Sequence, residues 1–138
     1  IETNRDYKQM GNAPLTHERA FFISKLYGVR HFETMVTIEP IFDFDLNELV
    51  SLIRRCNPKW VNIGADSKGH LLPEPFKDKI LDLIIELQKF TEVKIKDNLR
   101  RLGDFSSNEG MELSLNPIPS HTNNKNKGSG TKPSTRGI

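Results

Sequence analysis

Residues 35–64 read MVTIEPIFDFDLNELVSLIRRCNPKWVNIG and contain one complete strand–helix–strand unit. A short β-rich run at 35–39 is ended by a proline, and a second β-rich run follows at 60–64. Between the two runs, apolar residues recur at helical spacing, and Asn57-Pro58 ends the helix. The apolar positions of this helix are Leu46, Leu49, Val50, Ile53 and Cys56. Two strands joined through an amphipathic helix predict a parallel βαβ unit with a right-handed crossover.

Helix start signals set the boundaries of this unit and of the one that follows it. Asp45 stands three residues before Glu48 in an acidic relative of the capping box, so we expect the helix to begin there. Pro75 is well placed for the first turn of a second helix, which leads to a strand at 92–96. The apolar stripe of that helix consists of Phe76, Ile80, Leu83, Ile84 and Leu87. Residues 97–102 are expected to begin a further short helix.

The N-terminal part predicts one more helix and the end of one more strand. Thr16 can cap a helix that runs to about Tyr27. We expect that helix to bury Phe22, Ile23 and Leu26. Ile1 runs straight into a polar turn, which is typical of the last position of a strand, so we expect a fragment whose N-terminal part is absent. A trimmed or processed product is the alternative. With this strand end included, the sequence predicts an α/β fold with about four parallel strands and three to four helices.

Length and composition narrow the class of protein. The 138 residues suffice for one domain, and 20 Lys+Arg against 18 Asp+Glu give a net charge of +2, too small to indicate nucleic acid by itself. The single cysteine, Cys56, excludes an internal disulfide framework and a cysteine-based zinc site. No apolar run approaches the ~20 residues of a membrane span and no leader opens the chain, so we expect a cytoplasmic protein with no membrane partner. From Asp104 the sequence turns to Ser, Asn, Gly, Pro and Lys, which predicts a folded domain at 1–103 and a disordered polar tail at 104–138.

The predicted strands alternate between two kinds of face. One face is apolar and carries Val36/Ile38, Val61/Ile63 and Val93/Ile95. The opposite face is polar and carries Thr37/Glu39, Asn62/Gly64 and Lys94/Lys96. The lumen of an eight-stranded barrel is commonly filled by branched apolar side chains, so a polar face predicts a wide or incompletely closed barrel that holds a polar ligand. The alternative is the exposed face of an edge strand, which suits Lys94 and Lys96 best.

Polar residues follow each predicted strand at the end where parallel α/β folds bind ligands. They are Glu2, Thr3, Asn4 and Arg5, then Glu39, then Asn62, Gly64, Ala65 and Asp66, and then Lys96, Asp97 and Asn98. Three carboxylates, a guanidinium and an ammonium group would therefore converge on one rim. Buried charges are costly unless they are paired or bound to a ligand, so this convergence favours a functional site. Acidic residues at the same rim also have ordinary helix-capping roles, which is the alternative.

Short patterns at successive strand ends resemble one known family. They are Ile-Glu-Thr-Asn-Arg at 1–5, Thr-Ile-Glu-Pro-Ile at 37–41, Asp-Phe-Asp at 43–45, Trp-Val-Asn-Ile-Gly-Ala-Asp at 60–66, Pro-Glu-Pro at 73–75 and Lys-Asp-Asn-Leu-Arg-Arg-Leu at 96–102. In these residues the chain resembles the C-terminal portion of phage-type radical SAM proteins, which are similar to the spore photoproduct lyase group. The resemblance covers residues 1–103 and implies a partial (βα) barrel wide enough for S-adenosylmethionine and a substrate.

This resemblance also implies cofactors and residue roles. For the full-length protein it implies S-adenosylmethionine, a [4Fe–4S] cluster and hydrogen abstraction by a 5′-deoxyadenosyl radical. The family's three-cysteine motif is absent and Cys56 lies on an apolar helix stripe, so this chain alone cannot bind the cluster. The implied cofactor-binding residues are Glu2, Thr3, Asn4, Glu39, Asn62 and Asp66, and the implied substrate-side residues are Arg5, Lys96 and Asn98. No catalytic residue is assigned, and the expected partner is the missing N-terminal half of the barrel or a second copy of the chain.

Two other functions fit the same strand ends. Glu2, Glu39 and Asp66 could hold Mg²⁺ or Mn²⁺ in a barrel isomerase or lyase, with Lys96 as a proton shuttle or a Schiff-base lysine. A non-catalytic, phage-encoded α/β binding module is the other alternative. Its basic pairs, at 54–55 and 100–101, have no aromatic-rich stripe beside them, which makes nucleic acid the weaker partner. Of the four histidines only His70 lies in a rim loop, and it is interpreted as a surface residue.

Overall fold

The computed structural model describes residues 1–30 and 32–105 of the chain. It contains a parallel sheet with the strand order β1 (Met35–Ile38), β2 (Trp60–Ile63) and β3 (Glu92–Ile95). The α-helices are α1 (Thr16–Arg30), α2 (Leu46–Cys56) and α3 (Lys77–Gln88), and two 3-10 helices span Lys8–Met10 and Asp97–Leu102. The predicted α/β class with parallel strands is therefore confirmed. The described residues form an open sheet and no closed barrel.

The described residues form three strands, and the fourth, predicted at Ile1, is not found among them. The amino nitrogen of Ile1 does lie beside β1 and donates to the carbonyl oxygen of Thr37 at 2.9 Å. The chain then turns away, since the hydroxyl of Thr3 accepts the Arg5 N–H at 3.1 Å. One hydrogen bond at a strand edge does not make a ladder, which needs several successive residues in register.

Helix α2 begins where the sequence predicts, but its cap differs from the predicted capping box. Asp45 is the N-cap residue, yet its side chain makes no capping hydrogen bond. Its carboxylate instead accepts two hydrogen bonds from the guanidinium of Arg5, at 2.5 and 2.8 Å. Arg5 is a charged donor that binds the carboxylate through two nitrogens, whereas a cap would use a neutral backbone N–H, which explains why the carboxylate turns toward Arg5. The helix ends as expected at Asn57, which has a left-handed φ of 45°.

The hydrophobic core lies between the apolar face of the sheet and helices α2 and α3. Its strand residues are Val36, Ile38, Val61 and Ile63, and its helix residues include Leu49, Ile53, Ile80, Leu83, Ile84 and Leu87. Phe105 also packs in this core and is 2% exposed, so the packed region continues two residues beyond the predicted domain end. The rest of the predicted tail, 106–138, lies outside the described residues.

Helix α1 buries a different face from the one predicted. Phe22 and Leu26 are 66% and 54% exposed, so the expectation that they are buried is wrong, while Ile23 is partly buried against the core. The buried positions are Thr16 and Ala20. The small side chain of Ala20 lets α1 approach α2 closely, and the carbonyl of Ala20 lies 3.8 Å from the thiol of Cys56. In the described part of the chain, no helix is long and apolar enough to span a membrane.

Candidate functional site

The carboxyl ends of the three strands bring four residues together, which we call the strand-end cluster: Glu39, Gly64, Lys96 and Asn98. Glu39, Gly64 and Lys96 directly follow the register partners Ile38, Ile63 and Ile95. The carboxylate of Glu39 accepts hydrogen bonds from the ammonium of Lys96 and, at 2.7 Å, from the amide nitrogen of Asn98. The same amide nitrogen also donates to the carbonyl of Ala65 at 2.8 Å. The parallel register therefore places polar groups from two outer strands over the end of the central one.

Gly64 forms the floor of the cluster. A Cβ at this position would lie 2.9 Å from both the Oδ1 of Asn98 and the Cδ of Glu39, so any other residue would displace these two side chains from their present positions. The Oδ1 of Asn98 is buried and accepts no hydrogen bond. Buried acceptors are normally satisfied, so this oxygen is an exception among the described residues. The cluster thus combines a close backbone approach with an unsatisfied acceptor.

The electrostatics of the cluster keep Glu39 ionised. The hydrogen bond from Lys96 lowers the pKa of Glu39, burial opposes that shift, and the bond from Asn98 adds to the lowering. Both Glu39 and Lys96 remain partly accessible, with side chains 24% and 45% exposed. The cluster therefore presents to solvent a negative group, the Glu39 carboxylate, and a positive group, the Lys96 ammonium, which are hydrogen-bonded to each other.

Asn62 lies on the same polar face of the sheet, two residues before Gly64 on the central strand. Its amide donates to the hydroxyl of Thr37 at 3.3 Å. Further along this face the ammonium of Lys94 stacks over the ring of Trp60, 4.6 Å from its centroid, and Met35 is 51% exposed. The polar face is therefore partly open to solvent. Asn62 shares this face with Glu39 and Lys96, as the alternation of the strands predicts.

Asp66 lies at the same rim but has different partners. Its carboxylate accepts hydrogen bonds from the backbone N–H of Lys68 at 3.0 Å and from the backbone N–H of His70 at 2.5 Å. It also lies 2.8 Å from the Nδ1 of His70. The hydrogen bond from the Lys68 backbone and those from His70 outweigh burial and lower the pKa of Asp66 to about 2. Asp66 is thus an ionised carboxylate that closes the loop at 66–70.

The N-terminal residues take two separate positions. Glu2 forms a bidentate ion pair with the guanidinium of Arg19 on α1, at 2.7 and 3.1 Å, and this pair lines a cleft at the rim. Thr3 is fully buried and donates to the carbonyl of Asp43 at 2.7 Å. Thr3 therefore has a structural role in this arrangement, and Glu2 faces the cleft at the rim.

Asn4 and Arg5 brace the loop between β1 and α2 and do not touch the strand-end cluster. Asn4 accepts the backbone N–H of Asp45 at 2.8 Å and donates to the Glu48 carboxylate at 3.0 Å. Arg5 bridges Asp45 and Asp43, and the Asp43 carboxylate also binds Lys79 at 2.6 Å. Burial raises the pKa of Asp43, but the hydrogen bonds from Lys79 and Arg5 outweigh it and the net shift is downward. The bonds from Arg5 and Asn4 lower the pKa of Asp45.

Of the clefts that open at the rim, two share lining residues. The larger has a volume of about 470 Å³ and is lined by Glu2, Gln9, Met10, Ala13, Arg19, Pro40, Phe42, His70 and Leu72. The smaller has a volume of about 310 Å³ and is lined by Glu39, Pro40, Ala65, Asp66, Ser67, Lys68 and His70. Pro40 and His70 belong to both clefts, and the peptide bond between Glu39 and Pro40 is cis. The strand-end cluster therefore borders the smaller cleft through Glu39.

Sequence reasoning did not assign His70 and Arg19 to the site. His70 was interpreted as a surface residue, although Asp66 precedes it by four residues in a loop that contains Gly69. That Asp-to-His spacing was the available signal, since a loop can fold an aspartate back onto a nearby backbone and ring. Arg19 had no comparable signal, because its contact with Glu2 depends on how α1 returns to the rim.

The carboxylates proposed as metal ligands do not converge. Glu2 pairs with Arg19, Glu39 with Lys96, and Asp66 with the loop ending at His70. Among residues 1–30 and 32–105, no group of three or more His, Cys, Asp or Glu residues is arranged to hold a metal ion. Cys56 is fully buried, its thiol lies 3.5 Å from the carbonyl of Leu52, and burial raises its pKa. The residues of this chain therefore do not fit a [4Fe–4S] cluster.

No family model matches this chain, and neither a curated protein nor a solved structure matches it.

Proposed function

We propose that the chain is the C-terminal part of a radical SAM-like enzyme and supplies one side of a partial (βα) barrel. The strand-end cluster would bind S-adenosylmethionine or a substrate of similar polarity at the carboxyl ends of the strands. One observation carries the proposal: Glu39, Lys96 and Asn98 converge over Gly64, where a Cβ would displace Glu39 and Asn98. Ligands of open parallel sheets bind at this end of the strands.

The chemistry of the cluster is compatible with S-adenosylmethionine. That molecule presents an ammonium and a carboxylate at its amino-acid end and hydroxyl groups on its ribose. Glu39 can accept from an ammonium or a hydroxyl, and Lys96 can donate to a carboxylate. When bound, the cofactor would supply the radical chemistry, and this chain's residues would bind and orient it.

The iron–sulfur cluster belongs to a different part of the proposed enzyme. The only cysteine of this chain is buried in the core, so cluster ligands would have to come from a segment outside these 138 residues. A Cys-x-x-x-Cys-x-x-Cys motif in the coding sequence upstream of Ile1 would support the proposal. Its absence from a complete upstream sequence would contradict it.

The binding step can be tested on this chain directly. We expect S-adenosylmethionine to shift the backbone amide resonances of Ala65 and Asn98 in heteronuclear NMR spectra. Gly64→Ala fills the floor of the cluster and Glu39→Gln removes its negative charge, so each variant should weaken binding by roughly tenfold or more. Glu92→Gln, at the opposite end of the same sheet face, is the matched control and should bind as the wild type does. Equal affinity in all four proteins, or no shifts at the strand ends, would refute the proposed site.

A further inference from the structure

His70 stands where the two rim clefts meet, and Asp66 holds its ring in place. The Nδ1 of His70 lies 2.8 Å from the Oδ1 of Asp66, and the two side chains are 58% and 6% exposed. An ionised carboxylate can only accept hydrogen bonds, so the neutral imidazole carries its proton on Nδ1. Its Nε2 is then a free acceptor on the accessible part of the ring.

The carboxylate is fixed independently of any ligand. Two backbone N–H groups, of Lys68 and His70, donate to it, and the guanidinium of Arg101 donates to the backbone carbonyl of Asp66 at 3.0 Å. The loop also contains two left-handed residues beside His70, Gly69 with φ of 72° and Leu71 with φ of 54°. The backbone hydrogen bonds from Lys68 and His70 to Asp66, together with the contact of the Nδ1, therefore hold the His70 ring beside the carboxylate.

The groups around His70 favour a largely apolar ligand. Met10, Pro40, Phe42 and Leu72 supply apolar wall to the larger cleft. On the wall of that cleft the charges of Glu2 and Arg19 neutralise each other in their ion pair. The other charged groups near the ring are Glu39 and Lys68, which line the smaller cleft, and Asp66 itself. A cleft of this size and character suits a small molecule with few polar groups.

We propose that His70 is a general base that removes a proton from a small, largely apolar ligand in these clefts, with Asp66 as its positioning residue. The Nε2 lone pair takes the proton, and the electron pair of the broken bond stays on the ligand. The resulting imidazolium is stabilised by the Asp66 carboxylate on its other side, as in other carboxylate–histidine pairs. This assignment concerns residues outside the strand-end cluster and does not depend on the radical SAM proposal.

The test uses 5-nitrobenzisoxazole, a planar probe whose ring opening needs only a base. Nε2 would remove the C3 proton, the C–H electron pair would form the nitrile, and the ring N–O bond would break to give 2-cyano-4-nitrophenolate. The proton on Nε2 then returns to water, so no other reactant is consumed. We expect the chain to accelerate this reaction by at least roughly tenfold over the same concentration of free imidazole, and His70→Gln to abolish the gain.

The controls separate a catalytic role from a structural one. His17→Gln removes an exposed histidine on α1 and should keep the full rate. Asp66→Asn should lower the rate by roughly tenfold, and Asp66→Glu should recover part of it. Long-range ¹H–¹⁵N correlation spectra of the wild type should show a protonated Nδ1 on neutral His70.

Two results would overturn the proposal: equal rates for the wild type and His70→Gln, or a neutral His70 protonated on Nε2. If Asp66→Asn fails to fold, the comparison of the two histidine variants still decides the question. Failure of S-adenosylmethionine to bind would leave these rates unchanged, so the two proposals fail separately.

Discussion

Gly64 and Asp66 follow the same strand, two positions apart, and yet have different roles. Gly64 has no side chain, and this lets the side chains of Asn98 and Glu39 lie over the end of the strand. Asp66 is charged and only 7% exposed. Nearly all the hydrogen bonds to its carboxylate come from its own loop. A residue's type therefore indicates the kind of interaction it can make, while its immediate neighbours decide whether it faces a ligand or the loop.

The lowered pKa of Asp66 predicts how the stability of the protein depends on pH. The folded-state pKa of about 2 lies below the usual value of about 3.9 for an unfolded chain. The carboxylate therefore contributes stability above about pH 4, and the contribution is lost as the pH falls from there toward about 2. We expect Asp66→Asn to be less stable than the wild type at neutral pH, with a difference that shrinks across this acidic range.

Urea unfolding followed by the fluorescence of the single tryptophan, Trp60, measures this difference at each pH. Ser67→Ala, in the same loop but without a titrating group, is the control and should stay parallel to the wild type. A gap between Asp66→Asn and the wild type that remained constant down to pH 2 would show that the charge is not the source of the stability.

At the scale of elements, α1 and α2 show two ways in which a helix can be amphipathic. α2 buries five side chains: Leu49, Val50, Leu52, Ile53 and Cys56. α1 contacts α2 through a narrow stripe around Ala20 and leaves Phe21, Phe22 and Leu26 more than half exposed. The number of apolar residues in α1 therefore does not indicate how much of the helix is buried in the core.

This contrast predicts opposite effects of two large-to-small substitutions. Leu49→Ala should lower the free energy of unfolding by about 2–5 kcal/mol, because it leaves a cavity against the sheet. Phe22→Ala should change it by no more than about 0.5 kcal/mol, because the ring is mostly in solvent. Chemical denaturation of both variants beside the wild type gives the comparison. A loss for Phe22→Ala as large as that for Leu49→Ala would mean that α1 packs differently from the arrangement described here.

At the scale of the whole molecule, the described part of the chain is an open three-stranded sheet covered on one face. β3 is an edge strand, and the polar face beside it is partly accessible. Exposed strand edges pair readily with other chains. The exposed phenylalanines of α1 add an apolar surface to this molecule, and such surfaces also promote association.

We predict that the chain associates with itself in a concentration-dependent way. Sedimentation velocity across the micromolar range should show a rising weight-average mass for the wild type. Phe21→Ser combined with Phe22→Ser should shift association to higher concentration, because it removes the apolar surface of α1. Phe76→Ser changes a ring before α3 that is 87% exposed, more than either phenylalanine of α1, and serves as the control. A monomer at every concentration would contradict this prediction.

The sequence predicted the elements well because their signals are local. The helix from Leu46 to Cys56, the strands around Val36, Val61 and Val93, and the two faces of the sheet all follow from periodicity within a few residues. The strand-end position of Glu39 and Lys96 follows as well, since parallel strands in register end together. The strand predicted at Ile1 is not among the three that the described residues form, because a single apolar residue is weak evidence for an element that needs several residues in register.

The contacts that distinguish the candidate sites were decided by tertiary structure alone. Several carboxylates lie near Arg5 in the sequence, and the fold pairs it with Asp43 and Asp45. Glu2 pairs with Arg19, which lies on a helix whose position the sequence predicts only approximately. The sequence by itself determined which residues carry charge and on which face of an element they lie. Which charges meet, and whether His70 is held by Asp66 in a cleft, depends on distances of a few ångströms between segments that are joined only by the folded chain.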